Sequence, residues 1–315
     1  MSQSDTSGRT CATTSADAPL GPLSGRTILV TGATGAGVAS GICEAVFAAG
    51  GRLALNGLNS ELLEPVLQRY PGSVGLPGDV SRPADAEHVV RTAVERCGPI
   101  TGLVNNAGVG LSEPFYQAST EQFDQVFGVD VRGLWLVTRA FTRALLEARL
   151  PGAIVNVSSV HSRATMYSYA VYAAAKAAVD GFTRGVAVEL GRFGVRCNAI
   201  APGYVQSEQN YSLLKRFTPD PAAWVERHRR VEQPLRRLIE PIDCGWLCAF
   251  LLSEQSRSIT GQTVAIDAGL SARLYNWDAA TVNAAPFNTH KPALAGAEPG
   301  AADPPPQARE DGPCD

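Results

Sequence analysis

Residues 27–42 read TILVTGATGAGVASGI, a short apolar run that leads into clustered glycines and then into a second apolar segment. The run over 27–31 is typical of a buried strand, and the segment over 42–49 predicts a helix. Glycines placed between a strand and a helix let the backbone approach a pyrophosphate, while the helix N-terminus offers free N–H groups. A tight turn without a ligand is the alternative. The candidate cofactor-binding residues of this turn are Gly32, Gly35, Gly37 and Val38.

Apolar runs of the same kind recur along the chain. Further strands are predicted over residues 52–56, 74–76, 102–105, 153–157, 196–200 and 263–267. Between them apolar residues follow helical spacing, for example Val179, Phe182, Val186 and Leu190. Strands without polar alternation, separated by helices, are typical of a parallel sheet covered on both faces. We therefore predict an α/β domain over residues 25–270: a single doubly wound, Rossmann-type sheet of about seven strands, which binds ligands beyond the carboxyl ends of its strands.

Composition limits the possible partners. The 315 residues include 27 basic and 30 acidic side chains, for a net charge of −3, so there is no cationic excess for nucleic acid. No apolar run approaches the ~20 residues of a membrane-spanning helix, and the N-terminus lacks the apolar stretch of a secretory signal. Seven cysteines without paired spacing favour a cytoplasmic location over a disulfide scaffold.

Three segments differ from the rest of the domain. Residues 1–24 are rich in Ser, Thr, Ala and Asp, which predicts a disordered leader. Residues 271–315 are rich in Pro, Ala and Gly, which predicts a mostly disordered tail. Residues 206–231 form a long connection that carries several aromatic side chains. We predict that this connection is a substrate lid, and a helical pair packed on the rim of the site is the alternative.

Small or polar residues follow the second, third and fourth strands. After the second there is neither a carboxylate for a ribose 2′-hydroxyl nor an Arg for a 2′-phosphate, and Leu58 favours NAD over NADP. After the third, Asp79 and Val80 could meet the adenine, where the alternative is a helix N-cap before Pro83. After the fourth, small residues let the backbone lie against a cofactor. These are Asn106, Ala107 and Gly108.

The fifth strand leads to a set of residues suited to proton transfer. Ser159 follows it, and Tyr172 and Lys176 lie four apart on a predicted helix, so they share one face. A lysine ammonium favours the ionised form of a nearby phenol, which can then act as a general acid or base. Ser159 can bind the same substrate oxygen, and Lys176 can also reach the ribose of a bound dinucleotide. A solvated helix face is the alternative.

Together these residues resemble the short-chain dehydrogenase/reductase family over about residues 25–270. The motifs that carry the resemblance are the Thr-Gly turn, Asp79-Val80, Asn105-Asn-Ala-Gly108, the Ser159, Tyr172 and Lys176 set, and residues 198–207. The resemblance implies NAD(P)-dependent oxidation of an alcohol or reduction of a ketone. It also implies homotetramers or homodimers, with tetramers built through helices near 115–147 and 172–190. The residues that it places around the nicotinamide are Pro202, Gly203, Val205 and Ser207.

Two positions depart from the family pattern. Gly37 takes the place of the second family glycine only if one residue is inserted, and Ala39 stands in the third place. The family also has a catalytic Asn that helps to hold a water beside the lysine, and here this position is Asp130. An ionised Asp cannot donate hydrogen bonds, and its charge would compete for Lys176. We hypothesise a working proton relay with altered pH dependence, and the alternative is that Asp130 only joins a polar network of its helix.

Several further residues are candidates for binding. Those for substrate contact are His161, Tyr167 and Tyr204. Cys244 and Cys248 lack partners at metal-ligand spacing, so buried packing is predicted and a metal is not. The basic run over 227–230 could attract an anionic group, although a solvated helix face is the simpler interpretation.

The leading hypothesis is hydride transfer between a nicotinamide and a secondary alcohol or ketone, with Tyr172 as general acid/base. One alternative is a non-redox enzyme on the same fold that performs cyclisation, elimination or isomerisation. The other alternative is a protein that senses a nucleotide without catalysis. Such a sensor would need only the nucleotide site, so the presence of Ser159, Tyr172 and Lys176 argues against it.

Overall fold

The computed structural model describes residues 21–273, which form a seven-stranded parallel sheet in the order β3-β2-β1-β4-β5-β6-β7. The strands are β1 (Thr27–Val30), β2 (Arg52–Gly57), β3 (Val74–Pro77), β4 (Gly102–Asn105), β5 (Gly152–Val157), β6 (Val195–Pro202) and β7 (Thr263–Ile266). Every pairing between neighbouring strands is parallel. The predicted doubly wound sheet is confirmed, and each strand begins and ends close to its predicted bounds.

Helices cover both faces of the sheet. They are α1 (Val38–Ala48), α2 (Ser60–Arg69), α3 (Pro83–Cys97), α4 (Thr120–Phe127), α5 (Leu134–Ala148), α6 (Ala170–Leu190), α7 (Glu208–Leu214), α8 (Pro221–Arg227) and α9 (Pro241–Leu252). Successive side chains of β1 point to opposite faces of the sheet. Ile28 and Val30 belong to the hydrophobic core formed with α1, α2 and α9. Leu29 belongs to the core on the other face, formed with α3, α5 and α6. Within residues 21–273, no helix is long and apolar enough to cross a membrane.

Helices α1 and α9 cross where two glycines meet. A methyl group on Gly245 would lie 1.9 Å from the carbonyl oxygen of Gly41, and one on Gly41 would lie 1.9 Å from that of Pro241. Gly41 is therefore an interior residue of α1, which begins at Val38. The predicted helix start at Ile42 is wrong by about one turn, because the glycine is required by the neighbouring helix and does not end this one.

We expect Gly245→Ala to lower the free energy of unfolding by ~1–3 kcal/mol or more, because the added methyl meets backbone rather than a movable side chain. Denaturant unfolding measures the change. The control is Gly191→Ala, at a residue with helical backbone (φ −55°) where the added methyl would meet no described neighbour within 4 Å. This control should leave stability unchanged or raise it by about 0.4–1 kcal/mol. Equal losses in both variants would contradict the close crossing.

A chain of buried polar side chains joins the middle of the sheet to two helices. Asn105 and Asn156 are register partners on β4 and β5, and Asn105 Nδ2 donates to Asn156 Oδ1 at 2.8 Å. Asn105 Nδ2 also donates to Thr138 Oγ1 on α5 at 2.9 Å, and Asn156 Nδ2 donates to Thr183 Oγ1 on α6 at 2.9 Å. This chain fixes α5 and α6 relative to the strands that end at the site.

The structure corrects the predicted ends of the domain. Residues 21–24, predicted as part of the disordered leader, form a turn in which Leu23 is fully buried and its N–H donates to Ala49 O at 2.9 Å. A single apolar residue among Gly, Pro and Ser has no periodicity, so the sequence pattern did not reveal this packing. At the other end a short helical turn, Leu270–Ala272, enters the predicted tail. The rest of both predictions, over 1–20 and 274–315, lies outside the described residues.

Candidate active site

A cleft of about 950 Å³ opens at the carboxyl ends of the strands. It brings together most of the site residues predicted from the sequence. Those that line it are Gly32, Gly35, Gly37, Val38, Leu58, Asp79, Val80, Asn106, Ala107, Gly108, Asp130, Ser159, Tyr172, Lys176, Pro202, Gly203 and Val205.

The glycine turn is fixed by the loop after β4. Asn106 Nδ2 donates to the carbonyl oxygens of Thr31 at 3.1 Å and Gly32 at 3.0 Å, and Thr31 Oγ1 accepts from the backbone N–H groups of Asn106 and Ala107. Gly32 has a φ of +61°, and a side chain there would lie 2.7 Å from Ala107 Cα. Gly37 caps α1 without offering a side-chain acceptor. The arrangement leaves a cradle of backbone and a helix N-terminus facing the cleft, which suits a pyrophosphate.

The residues after β2 and β3 form another wall of the cleft. Asn56 is buried, and its Nδ2 donates to the carbonyl oxygens of Leu76 and Gly78, each at 3.0 Å. Leu58 is exposed at the cleft edge. Asp79 Oδ1 accepts from the backbone N–H of Ser81 at 3.0 Å and from its hydroxyl at 2.7 Å. Helix α3 has no side-chain N-cap, so the interpretation of Asp79 as that cap is wrong.

Lys176 lies in a buried ion pair at the floor of the cleft. Its Nζ is 2.9 Å from Asp130 Oδ2, donates to Val157 O at 3.1 Å and lies 5.5 Å from the centroid of the Tyr172 ring. The lysine side chain is 7% exposed and the aspartate side chain 0%. Asp130 Oδ1 accepts from the backbone N–H of Val109 at 2.7 Å. Asp130 thus contacts the lysine directly, as the competition hypothesised from the sequence requires.

The surroundings keep Lys176 charged. Burial opposes the ammonium, but the charges of Tyr172, Asp130 and Asp180 outweigh burial and raise the pKa of Lys176 above its ordinary 10.5. Because this pKa is higher in the folded chain, the stability gained from the ammonium is complete below pH 10.5 and is lost as the pH rises further. Sequence reasoning missed Asp180, although a carboxylate four residues after Lys176 on one helix face is a readable signal.

Ser159 and His161 are joined in the turn after β5, and the His161 ring contacts Tyr172. Ser159 Oγ donates to Pro202 O at 3.5 Å and accepts from the backbone N–H of His161 at 3.3 Å. The His161 ring stacks on Tyr169 at 4.6 Å and meets the edge of Tyr172 at 5.6 Å, and burial lowers the pKa of His161. His161 is not among the residues that line the cleft.

Three other predicted residues also lie off the cleft wall. Tyr204 packs its ring against Trp224 and His228, and burial raises its pKa. Ser207 caps α7, where its Oγ accepts from the backbone N–H of Asn210 at 3.2 Å. Tyr167 is exposed outside the cleft. For these three residues the motif predicted proximity to the site, whereas the direction of each side chain depends on packing.

The predicted lid forms helices α7 and α8. It supplies Gln209 and Asn210 to the cleft wall, two residues that sequence reasoning missed. Both residues lie in the first turn of α7, which begins directly after the predicted nicotinamide segment, and this position could have indicated that they reach the cleft. The helical pair named as the alternative is present, and movement of this segment stays a prediction.

The two cysteines of α9 are packed in the core. Cys244 and Cys248 are both fully buried, and burial raises the pKa of Cys244 to about 12. Among residues 21–273 no group of three or more His, Cys, Asp or Glu side chains could hold a metal ion.

A doubly wound sheet with a glycine turn, and with Ser159, Tyr172 and Lys176 at its carboxyl edge, defines a nicotinamide-dependent oxidoreductase. A family model described as "Enoyl-(Acyl carrier protein) reductase" matches residues 32–271. The chain belongs to the short-chain dehydrogenase/reductase family.

Individual relatives agree with this assignment. The chain is 35% identical over 254 residues to oxidoreductase UcpA of Escherichia coli O157:H7, covering 79% of this chain and 96% of that protein. It is 34% identical over 254 residues to L-xylulose reductase of Bos taurus, covering 79% and 98%. A gluconate 5-dehydrogenase from Burkholderia cenocepacia J2315, solved with NADP and tartrate, superposes with a TM-score of 0.74 at 28% identity, covering 80% of this chain and 97% of that one.

These comparisons establish the class of reaction. The chain is an NAD(P)-dependent oxidoreductase that acts on alcohols or ketones. They lend no support to a non-redox enzyme or to a nucleotide sensor, the two alternatives raised by the sequence.

Proposed function

We propose that Tyr172 exchanges a proton with the substrate oxygen as the general acid/base of this reaction. The observation that carries the proposal is the buried ammonium of Lys176, 5.5 Å from the ring centroid of Tyr172 at the wall of the cleft. In general, an ammonium close to a phenol favours its ionised form. In alcohol oxidation the phenolate accepts the hydroxyl proton, and in ketone reduction the phenol returns a proton to the carbonyl oxygen.

The neighbouring residues hold the reacting groups in place. Ser159 Oγ accepts from the His161 backbone, and its own proton makes only a long 3.5 Å hydrogen bond to Pro202 O, which it can exchange for one to the substrate oxygen. Lys176 binds the ribose hydroxyls in addition to its effect on Tyr172. Asp130 positions the lysine through their direct ion pair. These roles divide the site into one proton donor and acceptor, one oxygen-binding group and a buried charge pair.

The cleft fits a nicotinamide dinucleotide. Its backbone cradle has no room for a side chain at Gly32, and the open N-terminus of α1 suits a pyrophosphate. When bound, this cofactor supplies or takes up the hydride. The residues proposed to hold it are Gly32, Gly35, Gly37, Val38, Leu58, Asp79, Val80, Asn106, Ala107, Gly108, Tyr172, Lys176, Pro202, Gly203 and Val205. Ser207 is proposed as well, because its Oγ, although it caps α7, would lie 3.6 Å from a side chain at Gly37.

The test is a titration with NADH and NADPH, followed by a panel of ketones monitored by the loss of reduced-nicotinamide absorbance. We expect saturable binding and turnover of at least one ketone. Binding without turnover across the panel would instead favour a nucleotide sensor, and product formation without cofactor consumption would favour a non-redox enzyme.

We further propose that NAD is preferred to NADP. Among the described residues that line the cleft, the cationic side chains are Arg132 and Lys176, and neither follows β2. Asn56 is occupied by backbone carbonyls, and Leu58 cannot pair with a phosphate. A 2′-phosphate would therefore lose its hydration without gaining a charged partner.

Leu58→Arg is expected to strengthen NADPH binding by roughly tenfold or more, because a guanidinium at the cleft edge can pair with the 2′-phosphate. Fluorescence titration with both cofactors measures the change. Leu62→Arg, which adds the same charge at an exposed residue of α2, is the matched control and should change NADPH affinity little. A comparable gain in both variants would show that overall charge, rather than position, determines the preference.

We propose a homotetramer or homodimer that resides in the cytoplasm. Exposed apolar side chains on α4, α5 and α6, namely Phe123, Trp135 and Val188, support an interface through these helices. The five cysteines within residues 21–273 are free thiols, which supports a reducing compartment. Light scattering and cell fractionation test the two statements.

A further inference from the structure

Two loops beside Tyr172 carry an exposed apolar surface, which we call the entrance rim. Its members are Phe115, Tyr116, Met166 and Tyr167, which are 68%, 67%, 59% and 77% exposed. Contiguous apolar side chains that are this exposed mark a binding surface more often than isolated ones do. The entrance rim is therefore a candidate surface for binding an apolar molecule.

The two loops are held together, so the entrance rim is a defined surface. The backbone N–H of Glu113 donates to Ser168 O at 2.8 Å. The rings of Phe115 and Tyr116 on one loop meet edge to face at 5.6 Å. These rings, together with the exposed side chains of Met166 and Tyr167 on the other loop, are the surface that a ligand would meet.

The entrance rim is continuous with the catalytic side of the cleft. One loop leaves the cleft wall at Gly108, Val109 and Gly110 and reaches the rim within a few residues. The other loop runs from Tyr167 directly into Tyr169, whose ring lies 6.1 Å from that of Tyr172. Both loops thus connect the entrance rim to residues beside Tyr172 within a short stretch of chain, close enough for one substrate to reach both.

We propose that the entrance rim binds the apolar body of the substrate, which is an uncharged ketone or secondary alcohol whose reacting carbon belongs to, or adjoins, an aromatic or alicyclic ring system. This inference rests on the proposed role of Tyr172. A polyol would find few hydrogen-bonding partners on the rim, because Phe115 and Met166 offer no strong donor or acceptor and each tyrosine offers a single hydroxyl. An anionic substrate would be repelled by the carboxylate of Glu113, whose backbone N–H joins the two loops at Ser168 O.

The experiment compares β-tetralone, a bicyclic ketone, with dihydroxyacetone, a small polar one. We expect the wild-type enzyme to reduce β-tetralone with at least about tenfold higher kcat/KM. Tyr167→Ala should lower kcat/KM for β-tetralone by roughly tenfold, mainly through KM, and leave dihydroxyacetone unaffected. The matched control is Phe193→Ala, which removes an exposed ring beyond the far end of α6, a 21-residue helix about 30 Å long.

Calorimetry of β-tetralone binding to the NADH complex separates this inference from the proposed function. Binding that weakens in Tyr167→Ala supports the rim even if no ketone is turned over, in which case the proposed role of Tyr172 fails alone. Equal kcat/KM for the two ketones, no β-tetralone binding, or equal losses in Tyr167→Ala and Phe193→Ala would overturn the inference. So would a Tyr167→Ala variant with unchanged kinetics and an altered mass by light scattering, because the rim would then be a contact between copies of the chain.

Discussion

Replacement of Tyr172 by Phe is expected to reduce kcat by about 10²–10⁴-fold, the range that general acid–base catalysis contributes. The variant retains the ring that packs against His161 and lies near Lys176 but loses the hydroxyl that exchanges the proton. Dinucleotide affinity should change little, because the glycine turn and the lysine are untouched. Steady-state kinetics and a cofactor titration on the same sample measure both quantities.

Tyr169→Phe is the matched control. Tyr169 lies three residues earlier and its ring contacts that of Tyr172, but the residue four positions on is Ala173 rather than a lysine. Its hydroxyl therefore has no ammonium at the helical spacing that favours ionisation, and most activity should remain. Undiminished turnover by the Tyr172 variant, or equal losses in the two variants, would show that the proton follows another route.

Lys176→Met is expected to lower the free energy of unfolding by ~3–5 kcal/mol and to abolish most activity. The substitution leaves the Asp130 carboxylate fully buried without its ammonium, which is more costly than the absence of both charges. Denaturant unfolding at neutral pH measures the loss, since the raised pKa of Lys176 keeps the wild-type lysine charged there.

The double variant Lys176→Met with Asp130→Asn separates stability from catalysis. We expect it to recover most of the lost stability, because neither member of the buried ion pair is charged, yet to stay inactive, because the ammonium that acts on Tyr172 is gone. A double variant as unstable as Lys176→Met would mean that packing, rather than the charge of Asp130, accounts for the loss.

Asp130→Asn alone tests the proton relay. Without the competing carboxylate, the ammonium acts more strongly on the phenol, so the pH–rate profile for alcohol oxidation should move toward lower pH. An unchanged profile would show that Asp130 is chemically silent and only joins the polar network of its helix.

Local patterns predicted most of this molecule. Buried strands appear as apolar runs, and the carboxyl ends of parallel strands converge, so residues such as Asp79 and Ser159 could be placed at one cleft from the sequence. Features that depend on contacts between distant segments were missed. The burial of Leu23 and the interior position of Gly41 are set by residues far along the chain.

The direction in which side chains point was the other feature that the sequence could not predict. Tyr204 follows the nicotinamide segment as the motif predicts, yet its ring packs on α8 because Trp224 and His228 provide an aromatic surface there. Gln209 enters the cleft instead, from a helix whose start the sequence pattern did not define.

The pairing of Asn105 with Asn156 has a consequence for how the chain folds. Strands that are apolar on both faces could align in several ways with similar burial. A shift of one residue between β4 and β5 would separate the two carboxamides and leave each in the interior without its partner, at a cost of about 1–3 kcal/mol per group. The pair thus favours the native alignment of β4 and β5 over alignments shifted by one residue.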